Sequence, residues 1–136
     1  MIDIAKTLFD VARGLFDLRG ELRKATRDRK DRVADYFDSL ATLVESVAAS
    51  LRRGEYPHGS CAQLHTLASL MTTTLEGLIG EDEARDYQER LLGIWQIEQL
   101  FGDLQSMSPK QAENRLVEIE QAAGYFRAIA MHLRAA

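Results

Sequence analysis

Residues 2–22 read IDIAKTLFDVARGLFDLRGEL, and this stretch decides the fold because it consists of three similar heptads. The heptads begin at Ile2, Phe9 and Phe16, and each of them ends in leucine. Apolar residues that alternate in steps of four and three form one stripe on a helix. The large residue at the start of each heptad widens this stripe beyond what one neighbouring helix covers. The segment is therefore predicted to be an amphipathic helix, from about residue 3 to residue 24, that packs against several neighbours.

Four more helices follow from the same periodicity and from helix-capping signals. The second is expected from Thr26 or Asp28, as its cap, to Arg53. No proline separates it from the first, so the alternative is that the two form one long, bent helix. The third is expected after the loop of residues 54–59, with Ser60 as its cap, and to end at Gly80. The fourth is expected from about residue 82 to residue 104. The fifth begins with Ser108-Pro-Lys-Gln111, in which serine is the cap and glutamine the reciprocal capping residue.

These patterns predict an all-α protein, and no segment alternates with the two-residue period of a strand. The short connections favour antiparallel neighbours. We expect an antiparallel bundle of about five helices, namely a four-helix bundle with one additional N-terminal amphipathic helix. The 136 residues are expected to form a single domain, because this length buries a sizeable core without disulfides or metal.

Composition and charge exclude several classes of function. The single cysteine, Cys61, favours a reducing compartment, and we expect a cytoplasmic protein without a membrane-spanning segment or signal peptide. The net charge is −4, yet residues 19–32 carry seven basic and three acidic side chains. This run contains no aromatic residue for stacking on bases, so we interpret it as a solvated helix junction and expect no nucleic-acid partner.

One group of residues has the chemistry of a metal site. His58, Cys61 and His65 follow the spacing H-x-x-C-x-x-x-H at a loop-to-helix junction. Three such ligands and a water molecule can bind zinc, and a thiol in a first helical turn can become reactive. Cys61 also begins the apolar stripe of the third helix, where a free cysteine behaves as a small buried hydrophobe. We favour this structural interpretation, and expect no metal and no cofactor.

Glu98 lies within an apolar arc of the fourth helix, where a carboxylate needs a partner. Arg29 projects along the apolar line of the second helix and is one candidate partner, with Arg115 and His65 as the alternatives. The pair is interpreted as a buried ion pair that sets helix register. The same region of the fourth helix is apolar on almost every side, which is typical of a central helix or of one covered by another chain. Together with the first helix it provides the predicted interface residues, which are Phe9, Phe16, Leu92, Trp95, Ile97 and Leu100.

The function predicted from these features is that of a non-catalytic helical interaction module, which either forms homo-oligomers or docks a protein partner. In architecture alone such a chain resembles the adaptor or effector modules of bacterial signalling and defence proteins. One alternative is a membrane-acting bundle whose N-terminal helix inserts, although Asp3, Asp10 and Asp17 dilute the positive charge of its polar face. A second alternative is a small metal- or thiol-dependent enzyme built around Cys61. The sequence contains no phosphate-binding glycine loop and no hydrolase motif.

Overall fold

A computed structural model describes residues 3–93 and 97–136, and the side chain of Glu98 is outside this description. Within these residues the chain is entirely helical and contains no strand. The all-α prediction is therefore confirmed. The described helices are α1 (Ile4–Asp17), α2 (Arg19–Leu22), α3 (Arg27–Arg52), α4 (His58–Ser69), α5 (Met71–Thr74), α6 (Glu81–Leu92), α7 (Ile97–Ser106) and α8 (Pro109–Ala135).

Three helix boundaries follow from local capping chemistry. The hydroxyl of Thr26 accepts a hydrogen bond from the amide of Arg29, so Thr26 is the cap of α3. Ser108 and Gln111 form the predicted capping box at the start of α8. At the end of α3, the amide of Glu55 donates to the carbonyl of Ser50, and Gly54 has a φ of 72°. This left-handed residue ends the helix, because glycine adopts positive φ without steric cost.

Two of the predicted helices are interrupted. The N-terminal helix is divided at Leu18 into α1 and α2. The third predicted helix begins at His58 rather than at Ser60, is divided at Leu70 and ends at Thr74. The expected start at Ser60 is therefore wrong, because the amide of Cys61 already donates to the carbonyl of Pro57, one turn earlier.

The two longest helices, α3 and α8, make the most extensive contact of the fold. They are antiparallel, because Arg52 near the end of α3 pairs with Glu113 near the start of α8. At the opposite end, Arg27 and Lys30 donate to the terminal carbonyl of Ala136. These two cations lie at the C-terminal end of α8, where the helix dipole favours positive charge.

The remaining helices complete a ring around the core. Helix α1 packs on the other side of α8 and runs parallel to it, since Asp3 pairs with Arg115 and Phe16 contacts Tyr125. Helix α4 packs on α3, and α6 contacts both α4 and α1. Each helix therefore contacts the next in the order α8, α3, α4, α6 and α1, and α1 also contacts α8. Because α1 closes this ring, the contacts do not confirm an arrangement of four helices with one added.

Buried side chains from these helices form one hydrophobic cluster. The largest fully buried side chains include Phe37 and Phe126, whose rings are stacked at 6.0 Å between centroids. Where α1, α3, α4, α7 and α8 meet, the core leaves an apolar cavity of only about 10 Å³. A space of this size is at the lower limit for one water molecule, and its lining offers no polar atom to which a water could hydrogen-bond. No described helix is long and apolar enough to cross a bilayer.

Candidate interaction surfaces

The three residues with metal-ligand chemistry lie on α4 but differ in exposure. His58 is exposed and its ring lies 4.3 Å from that of Tyr56, measured between centroids. Cys61 is buried in the hydrophobic cluster, and His65 is half-buried. In the part of the chain that the structure describes, no three histidine, cysteine or acidic side chains are arranged to hold a metal ion. The described residues therefore offer no metal-binding geometry at Cys61.

Phe9 and Phe16, two of the predicted interface residues, are half-buried against α8. Both rings contact that of Tyr125, with centroid distances of 5.7 and 5.3 Å. The guanidinium of Arg19 lies over the ring of Phe16, 4.1 Å from its centroid. The large residues that widen the apolar stripe of the first helix therefore pack largely against α8 of the same chain.

The remaining predicted interface residues lie at the end of α6 and in α7. Ile97 and Leu100 are buried in the core, and Leu92 is half-buried against it. Trp95 is among residues 94–96, which are outside the described residues. The described members of this group therefore contribute mainly to the core, and their role in binding a partner stays a prediction.

Arg29 is half-buried and hydrogen-bonded to the backbone of a neighbouring segment. Its guanidinium donates to the carbonyls of Thr74, at 3.3 Å, and of Glu76. These carbonyls lie at and just beyond the end of α5, where helical carbonyls lack partners within the helix. Arg29 therefore caps this turn from α3. Its predicted pairing with Glu98 lies outside the described side chains.

A row of ion pairs joins α3 to one flank of α8. Arg52 bonds to Glu113 at 2.8 Å and to Glu120 at 2.5 Å. These hydrogen bonds raise the pKa of Arg52 and lower the pKa of Glu113. Further along, Arg127 pairs with Asp38 and Glu45 at 3.2 and 2.7 Å. The charges on this flank of α8 are thus largely neutralised within the chain.

The surface of α8 between this flank and α1 is uncharged. We call it the outward face of α8 and define it by Val117, Gln121, Gly124, Ala128 and Met131. Val117 and Met131 are 38% and 66% exposed, and they are two of the three large apolar side chains that are exposed among the described residues. The third, Leu70, lies between α4 and α5. An added Cβ atom at Gly124 would meet no atom within 4 Å, so packing inside the chain does not require glycine there.

A second candidate surface is a groove of about 660 Å³ between α3 and α4. Its lining combines Leu43 and Leu67 with short polar side chains such as Ser39, Thr42 and Thr66. Both leucines are half-buried, and neither is among the large apolar side chains that are exposed in the described residues. The large apolar side chains exposed among the described residues therefore lie on α8 and at Leu70 rather than in this groove.

Comparison of the chain with protein-family models, with curated proteins and with solved structures finds no match in any of the three. The candidate function is therefore argued from the geometry of this chain. The residues that carry it, Val117, Gly124 and Met131, were not among the predicted interface residues. Their seven-residue spacing is visible in the sequence, on the side of the fifth helix opposite its apolar stripe. Only the fold shows that this side is not covered.

Proposed function

We propose that this chain is a non-catalytic helical interaction module that binds a protein partner through the outward face of α8. One observation carries the proposal: Val117 and Met131 are exposed on the same side of one helix, two turns before and two turns after an exposed glycine. A glycine inside a helix costs about 1 kcal/mol relative to alanine. Glycine allows another group to approach the backbone closely, and at Gly124 nothing within the chain approaches closely.

The arrangement of this face favours protein binding over simple solvent exposure. Scattered exposed apolar side chains are normal on soluble proteins and need no explanation. Here the two side chains are aligned on the outward face of α8, with only uncharged small or amide residues between them. The neighbouring charges of Glu113, Glu120 and Arg127 are drawn toward α3 by their ion pairs. The face therefore has an uncharged centre of small and amide residues, an exposed apolar side chain at each end and charged residues at its rim, and depletion of charge at the centre is typical of a protein interface.

The two alternatives receive less support from the described contacts. A membrane-acting role requires α1 to detach, but Ile4, Leu8, Val11 and Leu15 are buried in the shared core. Detaching α1 would expose these side chains at a cost of roughly 2 kcal/mol each. For an enzyme built around Cys61, the thiol is buried in the hydrophobic cluster, and no metal-binding group of histidine, cysteine and acidic side chains is found among the described residues.

The finer features of the fold belong to the same proposal. We infer that α3, α4, α6 with α7, and α8 correspond to the four helices of the expected bundle, and that α1 is the additional helix that covers its open side. We further infer that the module works as one domain in the cytoplasm. The shared core supports a single domain, and the single cysteine suits a reducing compartment.

Site-specific photocrosslinking tests the proposal directly. The photoreactive residue benzoylphenylalanine replaces Gln121 on the outward face of α8 in the full chain, expressed in cells. The control variant carries it at Asp82 of α6, whose side chain is fully exposed. We expect a discrete protein adduct from position 121 and none from position 82. No adduct from position 121, or the same adducts from both positions, would contradict the proposed function.

A further inference from the structure

We infer that Met131 is a site of methionine oxidation, and that its sulfoxide weakens partner binding at the outward face of α8. This inference rests on the proposed function and names a regulation of the same surface. It starts from exposure, because Met131 is the most exposed of the three large apolar side chains that are exposed among the described residues. A peroxide in solution therefore reaches its thioether sulfur without any opening of the fold.

The other sulfur-containing side chains that the structure describes are less accessible. Met71 is fully buried in the core, and Cys61 is buried in the same hydrophobic cluster. Met107, between α7 and α8, is half-buried. Because an oxidant must contact the sulfur atom, the more exposed sulfur reacts first. The fold therefore predicts that Met131 is oxidised before the other two described methionines.

The proposed reaction is a two-electron oxidation of the thioether by hydrogen peroxide. The sulfur of Met131 attacks one peroxide oxygen, an S–O bond forms, and the O–O bond breaks. The departing hydroxide takes the proton of the transferred oxygen and leaves as water. The sulfur is thus oxidised and the peroxide is reduced. Methionine sulfoxide reductases return the sulfoxide to the thioether, so the modification is reversible.

Oxidation changes the chemistry at one end of the outward face. The thioether is apolar, whereas the sulfoxide is polar and its oxygen accepts hydrogen bonds from water. A partner that covers Met131 must remove this water, and burial of a polar group without a hydrogen bond is unfavourable. Arg127 and Arg134, four residues before and three residues after Met131, are engaged in ion pairs with α3. We therefore expect the sulfoxide to weaken binding.

The exposure of Met131 also means that its oxidation leaves the fold intact. This side chain is not part of the hydrophobic cluster, so its sulfoxide stays hydrated in the isolated chain. Oxidation of Met71 would instead place a polar group in the core and destabilise the chain. The modification at Met131 is therefore a change of the surface and does not require unfolding.

Peroxide treatment of the full chain tests the site. Hydrogen peroxide is applied in a time series, and mass spectrometry of proteolytic fragments measures the sulfoxide at each methionine. In the folded chain we expect Met131 to be oxidised at least tenfold faster than Met71, with Met107 between them. In urea the three should react at similar rates, because the selectivity comes from the fold. Equal rates in the folded chain, or faster oxidation of Met107 than of Met131, would overturn the assignment.

Photocrosslinking tests the consequence for binding. The purified full chain, with benzoylphenylalanine at position 121, is oxidised at Met131, freed of peroxide and added to a cell lysate. The yield of the adduct that the unoxidised chain forms should fall at least fivefold, and should return after treatment with methionine sulfoxide reductases. Met131→Leu keeps an apolar side chain without sulfur and should retain the adduct after peroxide treatment. Met107→Leu is the matched control and should lose the adduct as the unsubstituted chain does.

The remaining outcomes separate this inference from the proposed function. An adduct that is unchanged by oxidation of Met131, or that is lost equally in Met131→Leu, would overturn the regulation and leave the interaction surface supported. Circular dichroism of the oxidised chain should match that of the unoxidised chain, and a loss of helix would overturn a surface effect. Absence of the adduct from the unoxidised chain would overturn the proposed function and the regulation together, even where Met131 is oxidised selectively.

Discussion

The hydroxyl of Tyr36 in α3 donates a hydrogen bond of 2.5 Å to the backbone carbonyl of Leu67 in α4. This carbonyl lies just before the break at Leu70, whose amide also donates to it at 3.0 Å. On the other side of the break, the amide of Thr72 donates to the side-chain oxygen of Gln88 at 2.9 Å. The interruption between α4 and α5 is thus stabilised by side chains from α3 and α6.

Replacing Tyr36 with phenylalanine should lower the free energy of unfolding by about 1 kcal/mol at neutral pH, because the hydrogen bond to the carbonyl of Leu67 is lost. The loss is modest because the amide of Leu70 still donates to this carbonyl. Urea unfolding followed by circular dichroism measures this change. Tyr125→Phe is the matched control, since its hydroxyl has no hydrogen-bond partner among the described residues, and it should have little effect. Equal losses in the two variants would contradict the role of the hydrogen bond.

The same tyrosine predicts a loss of stability at alkaline pH. Burial raises the pKa of Tyr36 above its ordinary value of 10.0, because the phenolate is poorly solvated in the core. The unfolded chain therefore releases this proton at a lower pH than the folded chain. The stabilisation is fully present below about pH 10 and is lost as the pH rises further. The decrease in unfolding free energy from pH 9 to pH 11 should be smaller in Tyr36→Phe, and an unchanged decrease would argue against this assignment.

The close approach of α1 to α6 predicts a coupling between Gly14 and Tyr87. A Cβ atom at position 14 would lie 2.5 Å from the hydroxyl oxygen of Tyr87 and 3.0 Å from two of its ring atoms. Gly14→Ala should therefore destabilise the fold by about 1 kcal/mol, since overpacking outweighs the better helix propensity of alanine. In a Tyr87→Ala background the same substitution should instead stabilise by about 1 kcal/mol.

A double-mutant cycle from chemical unfolding measures this coupling directly. The sign reversal is the diagnostic result, because helix propensity is the same in both backgrounds and only the contact differs. Gly124→Ala is a useful reference, since an added Cβ there meets no atom of the same chain. If Gly14→Ala had one effect in both backgrounds, the contact with Tyr87 would not be the reason for glycine at this position.

Two serines that sequence signals treat alike should respond differently to substitution. Ser108 accepts a hydrogen bond from the amide of Gln111 as the cap of α8, so Ser108→Ala should cost about 1 kcal/mol. Ser60 is the third residue of α4 rather than its cap, so Ser60→Ala should change stability by less than about 0.5 kcal/mol. Thermal unfolding of both variants makes the comparison, and similar losses would contradict the observed start of α4.

Helix type and several caps could be predicted from the sequence because they depend on local chemistry. The periodic stripes of the first and fifth helices and the capping box at Ser108 are properties of short segments. The breaks at Leu18 and Leu70 were missed because no proline or cap residue marks them. At Leu70 the break depends on Tyr36 and Gln88, which are distant in the sequence and close only after folding.

The candidate interface was missed for a related physical reason. Width of an apolar stripe predicts that a helix has several neighbours, but it does not say whether those neighbours belong to the same chain. Phe9 and Phe16 meet Tyr125 within the fold, whereas Val117 and Met131 belong to no continuous apolar stripe and remain exposed. Which side of a helix stays exposed depends on which helices become its neighbours in the folded ring.

The position of α8 between α1 and α3 has a consequence for the rate at which the chain folds. The largest helix contact joins residues as far apart as Arg27 and Leu133, which are separated by 106 positions. Closing such long loops costs chain entropy before the contacts that reward it can form. Helical bundles built from successive hairpins fold rapidly because their contacts are local. This chain should therefore fold more slowly than an up-and-down bundle of equal length, because both of its main helix pairs close only when the last helix docks.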